Sequence, residues 1–174
     1  MAIVKKRYLL KNSIDDFLTN VGKQETNISQ FYTQIKHCKE IRFLKSDQRY
    51  YKTIRMGNEA RKDEVDKEIN KKTFLLEKKN KLGHTIKKKR YYIKGYPKEF
   101  TVDKYKKHLD NLIILSIYFN TLDDAEVFVL PDDLKRHIYK DVSHDERYRN
   151  KHLALLGNPK KNLTIYMQFL KISS

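Results

Sequence analysis

The chain is poor in the residues that build disulfides, thiol-based metal sites and membrane spans. Its 174 residues include one cysteine, Cys38, which excludes an intrachain disulfide and any paired-cysteine metal or redox site. No apolar run is long enough to span a bilayer, and the longest, residues 112–117, is interrupted by Ser116. The N-terminal segment lacks the apolar stretch of a secretory signal, so we expect a cytoplasmic protein without a membrane partner.

The common catalytic signatures are also missing. The sequence has no glycine-rich phosphate loop, no HExxH motif and no nucleophile elbow. Its six histidines are scattered without metal-ligand spacing, and we expect His137 and His152 to lie on helix surfaces rather than to bind metal. These absences exclude the best-known hydrolase and nucleotide-binding motifs.

Positive charge is what the chain has in excess. It carries 38 Lys and Arg against 22 Asp and Glu, a formal net charge of +16 at pH 7. Such a balance favours a polyanionic partner such as a nucleotide, polyphosphate, nucleic acid or acidic surface. The hydrophobic fraction of 39%, with 12 Tyr and 8 Phe, is enough for one domain with a core.

Alternating apolar and polar residues predict strands over most of the first two-thirds of the chain. Helical spacing of Ile14, Phe17, Leu18 and Val21 predicts a short helix after Ser13. Further helices are expected from Lys71 to a stop at Gly83, after Pro131, after a capping box at Ser143–Glu146, and at 163–172. Strands are expected at 3–10, 28–35, 39–45, 49–56, 84–93, 99–105 and 112–119, and the stretch 61–69, if extended, would place Glu64, Asp66 and Glu68 on one face. This order predicts a mainly β (α+β) protein, an antiparallel barrel with short peripheral helices.

Strand alternation places basic side chains on defined faces. Arg42 lies on the opposite face from Ile41 and Phe43, and Arg55 shares a face with Tyr51 and Thr53. In the run 87–90 the second and fourth residues, Lys88 and Arg90, must share one face. Guanidinium forks match phosphate oxygens, so these faces are candidate anion sites.

The order of these segments resembles the CYTH family, the triphosphate tunnel metalloenzymes. The similar segments fall within residues 1–157, which we interpret as one tunnel domain, with residues 158–174 as a C-terminal, helical extension on the same domain. The segments that carry the resemblance are 6–10, 28–32, 41–42, 51–55, 61–69, 88–91, 112–119 and 142–154.

The resemblance implies an eight-stranded antiparallel β-barrel tunnel that grips a triphosphate with basic side chains and holds divalent metal with acidic ones. Carried over by position, Glu64 and Asp66 match acidic, metal-binding positions, and Asp103 is a further candidate. The phosphate-gripping positions are Arg7, Arg42, Arg55, Lys88 and Arg90.

The chain departs from the family at its acidic positions. The opening Glu-x-Glu-x-Lys pattern is replaced by Ile3, Lys5 and Arg7, and a Glu-x-Glu of the late strand by Ser116 and Tyr118. A second tunnel arginine is replaced by Leu44. Mg²⁺ and Mn²⁺ prefer carboxylate and water ligands, so binding of either metal is expected to be weakened.

Four interpretations follow. The first is a pseudoenzyme that binds a triphosphate, polyphosphate or nucleotide in a basic tunnel, with metal-dependent catalysis lost. The second is an active metal-dependent triphosphatase or nucleotidyl cyclase that uses Glu64, Asp66 and Asp103. The third is a nucleic-acid-binding barrel, and the fourth an interaction module whose charge serves solubility. The third would use surface lysines: Lys5, Lys6, Lys36, Lys39, Lys52, Lys71, Lys72, Lys87 and Lys89.

Overall fold

The computed structural model describes residues 4–57, 62–96 and 98–161. This part of the chain contains nine β-strands, five α-helices and short 3₁₀ turns. The strands are β1 Val4–Leu10, β2 Lys23–Lys36, β3 Lys39–Ser46, β4 Arg49–Gly57, β5 Lys62–Ile69, β6 Leu82–Ile93, β7 Glu99–Lys106, β8 Ile113–Phe119 and β9 Ile138–Asp141. The helices are α1 Ile14–Asn20, α2 Lys71–Glu77, α3 Leu122–Glu126, α4 Asp132–Lys135 and α5 Asn150–Leu156.

The mainly β class with short helices is confirmed, but the sheet differs from the expected eight-stranded closed barrel. Its strands are hydrogen-bonded in the order β5-β4-β3-β2-β6-β7-β8-β1-β9. Among the described residues β5 and β9 are therefore edge strands, and the sheet is open. The ninth strand, β9, is only four residues long and pairs with β1. A segment so short has too few alternating residues to be predicted as a strand.

Two predicted helix boundaries are wrong for local reasons. Gly83 does not end a helix: α2 stops at Glu77, a 3₁₀ turn follows, and Gly83 lies inside β6. Ser143 does not cap a helix, because its hydroxyl accepts a hydrogen bond from the Arg7 backbone N–H at 3.0 Å and donates to Asp141. The segment after Ser143 forms a 3₁₀ turn at Glu146–Tyr148, and α5 begins only at Asn150.

The described chain divides into two compact units. The first unit comprises the described residues of Met1–Thr26, Lys88–Lys106 and Asp110–Asp145. The second unit comprises those of Asn27–Lys87, Lys107–Leu109 and Glu146–Ser174. Ile3 and the predicted helix at 163–172 lie outside the described residues.

The core of the first unit lies on one face of its strands. Alternate residues of β8, including Leu115 and Ile117, are buried together with Phe100 and Val102 of β7. Helix α1 packs Ile14, Phe17 and Leu18 into the same cluster, as its helical spacing predicts. On the opposite face of β8, Ile114 and Ser116 are also buried, each 2% exposed. Both faces of this strand are therefore covered, as its nearly continuous apolar run predicts.

The second unit has a smaller aromatic core. Phe31 of β2 and Phe43 of β3 stack with ring centroids 5.3 Å apart, and Phe74 of α2 meets Phe31 edge-on at 5.1 Å. Helix α2 begins at an Asn70 cap, whose side-chain oxygen accepts a hydrogen bond from the Thr73 backbone N–H. This cap holds Phe74 against the face of β3 that carries Phe43. The opposite face of β3 carries Arg42.

No helix in the described ranges has both the length and the apolar character that crossing a bilayer requires.

Candidate anion-binding site

In the first unit, strand register gathers polar side chains on the face opposite the core. Lys5 of β1 pairs with Tyr118 of β8, and Arg7 pairs with Ser116. Ser116 also pairs with Thr101 of β7, which is two residues before Asp103. Directly paired residues of an antiparallel sheet share a face, so β1, β7 and β8 together present one polar surface.

Two cations of β6 meet the carboxylate of Asp103 on this surface. Lys88 Nζ lies 2.7 Å from Asp103 Oδ2. Arg90 binds the same carboxylate in a forked arrangement, with Nε 2.7 Å from Oδ1 and Nη2 2.8 Å from Oδ2. We call these three residues the Asp103 cluster. Lys88 is 2% exposed and Asp103 is 4% exposed, so this ion-paired group is removed from water.

Burial and charge shift the protonation of this cluster in opposite ways. Burial lowers the pKa of Lys88 to about 7, against the opposing attraction of Asp103. Burial alone would raise the pKa of Asp103, but Lys88 and Arg90 hold it well below its ordinary value. Burial also opposes the charge of Arg90, yet the hydrogen bonds to Asp103 raise its pKa. Asp103 is therefore ionised, and one carboxylate serves two cations.

In the second unit, Arg42, Arg55 and Glu64 form a comparable group, the Glu64 cluster. Arg42 of β3 pairs with Thr53 of β4, and Arg55 pairs with Glu64 of β5. Arg55 Nε lies 2.5 Å from Glu64 Oε2, and Arg42 Nη2 lies 3.4 Å from Glu64 Oε1. Arg42 also donates to Thr53 Oγ1 at 2.9 Å, and that hydroxyl donates to Asp66 at 2.5 Å.

The Arg42 guanidinium is mostly buried and incompletely bonded. Its Nε atom is buried and has no hydrogen-bond partner among the described residues. Burial lowers the pKa of Arg42, and the nearby charge of Arg55 lowers it further. A buried donor without an acceptor is costly, and an anion is the group that would satisfy it.

Several residues that were not predicted from the sequence lie beside the Glu64 cluster. Glu40 is buried, with Arg55 Nη1 at 4.0 Å and Lys151 Nζ of α5 at 3.2 Å. Tyr32, 2% exposed, pairs with Arg42, and its burial raises the pKa of its hydroxyl. Strand alternation could have placed Glu40 and Tyr32, because they share the face of Arg42. No local pattern points to Lys151, which lies more than a hundred residues away in sequence.

The carboxylates proposed as metal ligands fit a divalent cation poorly. Both oxygens of Glu64 face guanidinium groups, and Asp66 accepts from Thr53. The described residues contain no group of three or more His, Cys, Asp or Glu arranged to hold a metal ion. Mg²⁺ and Mn²⁺ need several oxygen ligands, which these two side chains alone do not supply.

His137 and His152 also have partners other than a metal. His137 is 6% exposed rather than on a helix surface, with Nδ1 3.0 Å from Ser13 Oγ. His152 Nδ1 lies 2.6 Å from the backbone oxygen of Glu146.

The structure thus brings the predicted phosphate-binding residues together in pairs. Arg42 and Arg55 meet at Glu64, and Lys88 and Arg90 meet at Asp103. Arg7 shares the polar face of the first unit through its pairing with Ser116. That all five contact one anion stays a prediction.

Solved structures share this arrangement of strands. The inorganic triphosphatase NE1496 matches with a TM-score of 0.66 and 21% identity, covering 89% of this chain and 95% of that one. This chain has the CYTH fold. The putative adenylyl cyclase HpAC1 from Hippeastrum, which has a dominant triphosphatase activity, matches with a TM-score of 0.64 and 11% identity over 87% of this chain and 96% of its own. The PH1819 protein of Pyrococcus horikoshii matches with a TM-score of 0.56 and 14% identity over 92% and 99%.

The CYTH fold, expected from the order of segments along the sequence, is shown by the likeness to solved structures. No protein-family profile and no curated protein sequence matches the chain. At identities of 11–21% the likeness concerns the path of the backbone, and function has to be inferred from the side chains of this chain.

Proposed function

We propose that the protein binds a triphosphate-containing or polyphosphate anion through Arg7, Arg42, Arg55, Lys88 and Arg90. The observation that carries the proposal is the Asp103 cluster, in which two cations of β6 share a single carboxylate. A buried surplus of positive charge is unfavourable unless an anion offsets it. A polyphosphate carries several negatively charged oxygens, each of which can bind a different basic side chain.

The chemistry of the side chains supports the same ligand class. Guanidinium groups donate two parallel hydrogen bonds to phosphate oxygens, and an ammonium group adds a compact point charge. The Arg42 Nε donor, buried and without a partner among the described residues, is available to such an oxygen. The triphosphatase activities named for NE1496 and HpAC1 agree with this ligand class.

We further propose that the protein does not hydrolyse triphosphate at a typical enzymatic rate with Mg²⁺ or Mn²⁺. Phosphoryl transfer needs cations beside the phosphate oxygens, which neutralise their negative charge, and it needs a positioned nucleophile. The basic residues can neutralise charge, but Glu64 is occupied by two arginines and Asp66 by Thr53. Both oxygens of Glu64 and one oxygen of Asp66 already accept hydrogen bonds, which supports binding over turnover.

A thermal-shift panel tests the ligand class. Tripolyphosphate, long-chain polyphosphate, ATP and a mixed-sequence oligonucleotide are compared, each with and without Mg²⁺. Tripolyphosphate should raise the Tm, and Arg55→Ala should reduce that rise, whereas Arg49→Ala on the same strand should not. A larger rise with the oligonucleotide than with any polyphosphate would favour nucleic-acid binding instead.

A phosphate-release assay tests the absence of turnover. Tripolyphosphate, ATP and thiamine triphosphate are incubated over a range of pH with Mg²⁺ or Mn²⁺. We expect release at the level of the buffer control. Robust metal-dependent release that disappears in Glu64→Gln would show an active triphosphatase and contradict this part of the proposal.

A further inference from the structure

We infer that the polar face of the first unit takes its polyphosphate without a divalent cation, and that Lys5 supplies the charge in place of a metal. This inference rests on the proposed function and concerns the same site. It assigns Lys5 as a further anion-binding residue. It also predicts that free polyphosphate, not its magnesium complex, is the species bound.

Lys5 lies on the polar face beside Tyr118. It pairs with Tyr118 across β1 and β8, and its Nζ atom lies 4.6 Å from the centroid of the Tyr118 ring. An ammonium group over an aromatic face is stabilised by the negative face of the ring. The charge of Lys5 also reaches the Asp103 cluster, because it helps to lower the pKa of Lys88.

Cations outnumber acids on this face. Among the described residues, Asp103 and Glu99 are the acids that strand pairing places on this face, and Glu99, which pairs with Tyr118, is exposed. Asp103 is already shared by two cations. The cations placed there are Lys5, Arg7, Lys88 and Arg90, together with the exposed Lys140 of β9, which pairs with Leu9.

Such a face repels a divalent cation and lacks the ligands to hold one. Among the described residues, five positive side chains stand against two carboxylates, and Ser116 and Tyr118 beside Lys5 and Arg7 provide no carboxylate. Mg²⁺ bound to a polyphosphate also cancels two of its negative charges. The complex should therefore be attracted less strongly than the free anion, because Coulomb attraction scales with the product of the charges.

The test measures tripolyphosphate affinity by isothermal titration calorimetry in EDTA and in excess Mg²⁺ at constant ionic strength. For the wild-type chain we expect binding in EDTA and about tenfold weaker binding with Mg²⁺. Lys5→Met should weaken binding in EDTA about tenfold, because it removes one charged contact. Lys5→Glu should weaken it further and should make added Mg²⁺ improve binding.

Lys6→Met and Lys6→Glu are the matched controls, because Lys6 lies on the opposite face of the same strand, paired with Ile117. We expect each control that remains folded to bind within about twofold of wild type, since Lys6 lies on the face of β1 turned away from the polar face. Equal losses in the Lys5 and Lys6 variants would overturn the role of Lys5.

The wild-type comparison does not depend on any variant folding. Binding that requires Mg²⁺ would overturn the inference and leave the proposed function standing. An absence of binding in both EDTA and Mg²⁺ would overturn the proposed function itself, and the inference with it.

Discussion

Asp103 is the shared ionic partner of the buried Lys88 and the partly buried Arg90, which makes it the most consequential single acid on the polar face of the first unit. Its carboxylate is bonded to Lys88 and Arg90 at 2.7–2.8 Å. Removing one member of a buried ionic group leaves its partner charged and uncompensated. The resulting loss of stability exceeds the net stabilisation that the intact group provides. The stability of the first unit should therefore depend strongly on this residue.

Asp103→Asn should lower the free energy of unfolding by about 3–5 kcal/mol. Urea unfolding monitored by circular dichroism measures this, with Asp110→Asn as an exposed control that should change it by less than about 0.5 kcal/mol. Added tripolyphosphate should recover part of the loss if it offsets the two freed cations. Equal stability of the two variants would show that the Asp103 cluster is not energetically important.

Lys88 should make stability depend on pH above neutrality. Its pKa is about 7 in the folded protein, against 10.5 for an ordinary lysine. Between these values the unfolded chain binds the proton that folded Lys88 releases, so the free energy of unfolding should rise with pH. Below pH 7 both states carry the proton, so the free energy of unfolding no longer changes with pH through Lys88. The cost of burying the charged lysine is then at its largest.

The measurement compares urea midpoints between pH 7 and pH 9.5 for wild type, Lys88→Met and Lys87→Met. The rise of the urea midpoint with pH should be absent in Lys88→Met. It should be retained in Lys87→Met, because Lys87 is exposed in the wild-type chain. A rise of the same size in all three proteins would assign it to other groups.

At the scale of the elements, the contact between β6 and α5 in the second unit depends on a glycine. Gly83 has a φ of +60°, and a Cβ there would lie 2.3 Å from the backbone oxygen of Ala154. An L-residue would meet both the strain of the left-handed conformation and a clash with backbone that cannot move aside. This requirement explains why position 83 of β6 holds a glycine.

Gly83→Ala should destabilise the protein by about 2–5 kcal/mol, the sum of conformational strain and overpacking. Gly95→Ala is the matched control, because Gly95 has a φ of +91° but a Cβ added there would meet nothing within 4 Å. The control should cost about 1–2 kcal/mol from strain alone. Denaturant unfolding measures the difference, and equal losses would show that the close approach to α5 is unimportant.

Strand alternation was a sound guide to side-chain faces and a poor guide to partners. It placed Arg42 opposite Phe43, and Lys88 opposite Lys87, because side chains alternate with a period of two in any strand. It did not pair Asp103 with Lys88, because β6 and β7 have to come into register before these side chains meet. The same applies to Ser143, whose partner Arg7 lies 136 residues away.

At the scale of the whole molecule, the net charge of +16 indicated a polyanionic partner but not where it binds. Lysines that count equally toward the net charge differ in burial and in ionic partners. Lys88 is 2% exposed, whereas Lys89 reaches Glu25 at 2.7 Å on the other face of β6. The nine lysines considered for nucleic-acid binding likewise do not form one stripe, since Lys5 and Lys6 lie on opposite faces of β1.

The central claim, that the basic residues of each cluster bind polyphosphate, is tested most directly by titrating tripolyphosphate into four single variants. Arg55→Ala and Arg90→Ala remove one cation from each cluster, and Arg49→Ala and Lys89→Ala remove charges outside them. We expect binding to the wild-type chain, losses of about tenfold or more for Arg55→Ala and Arg90→Ala, and changes within about twofold for the two controls. Binding that is absent in the wild-type chain, or that falls equally in all four variants, would contradict it.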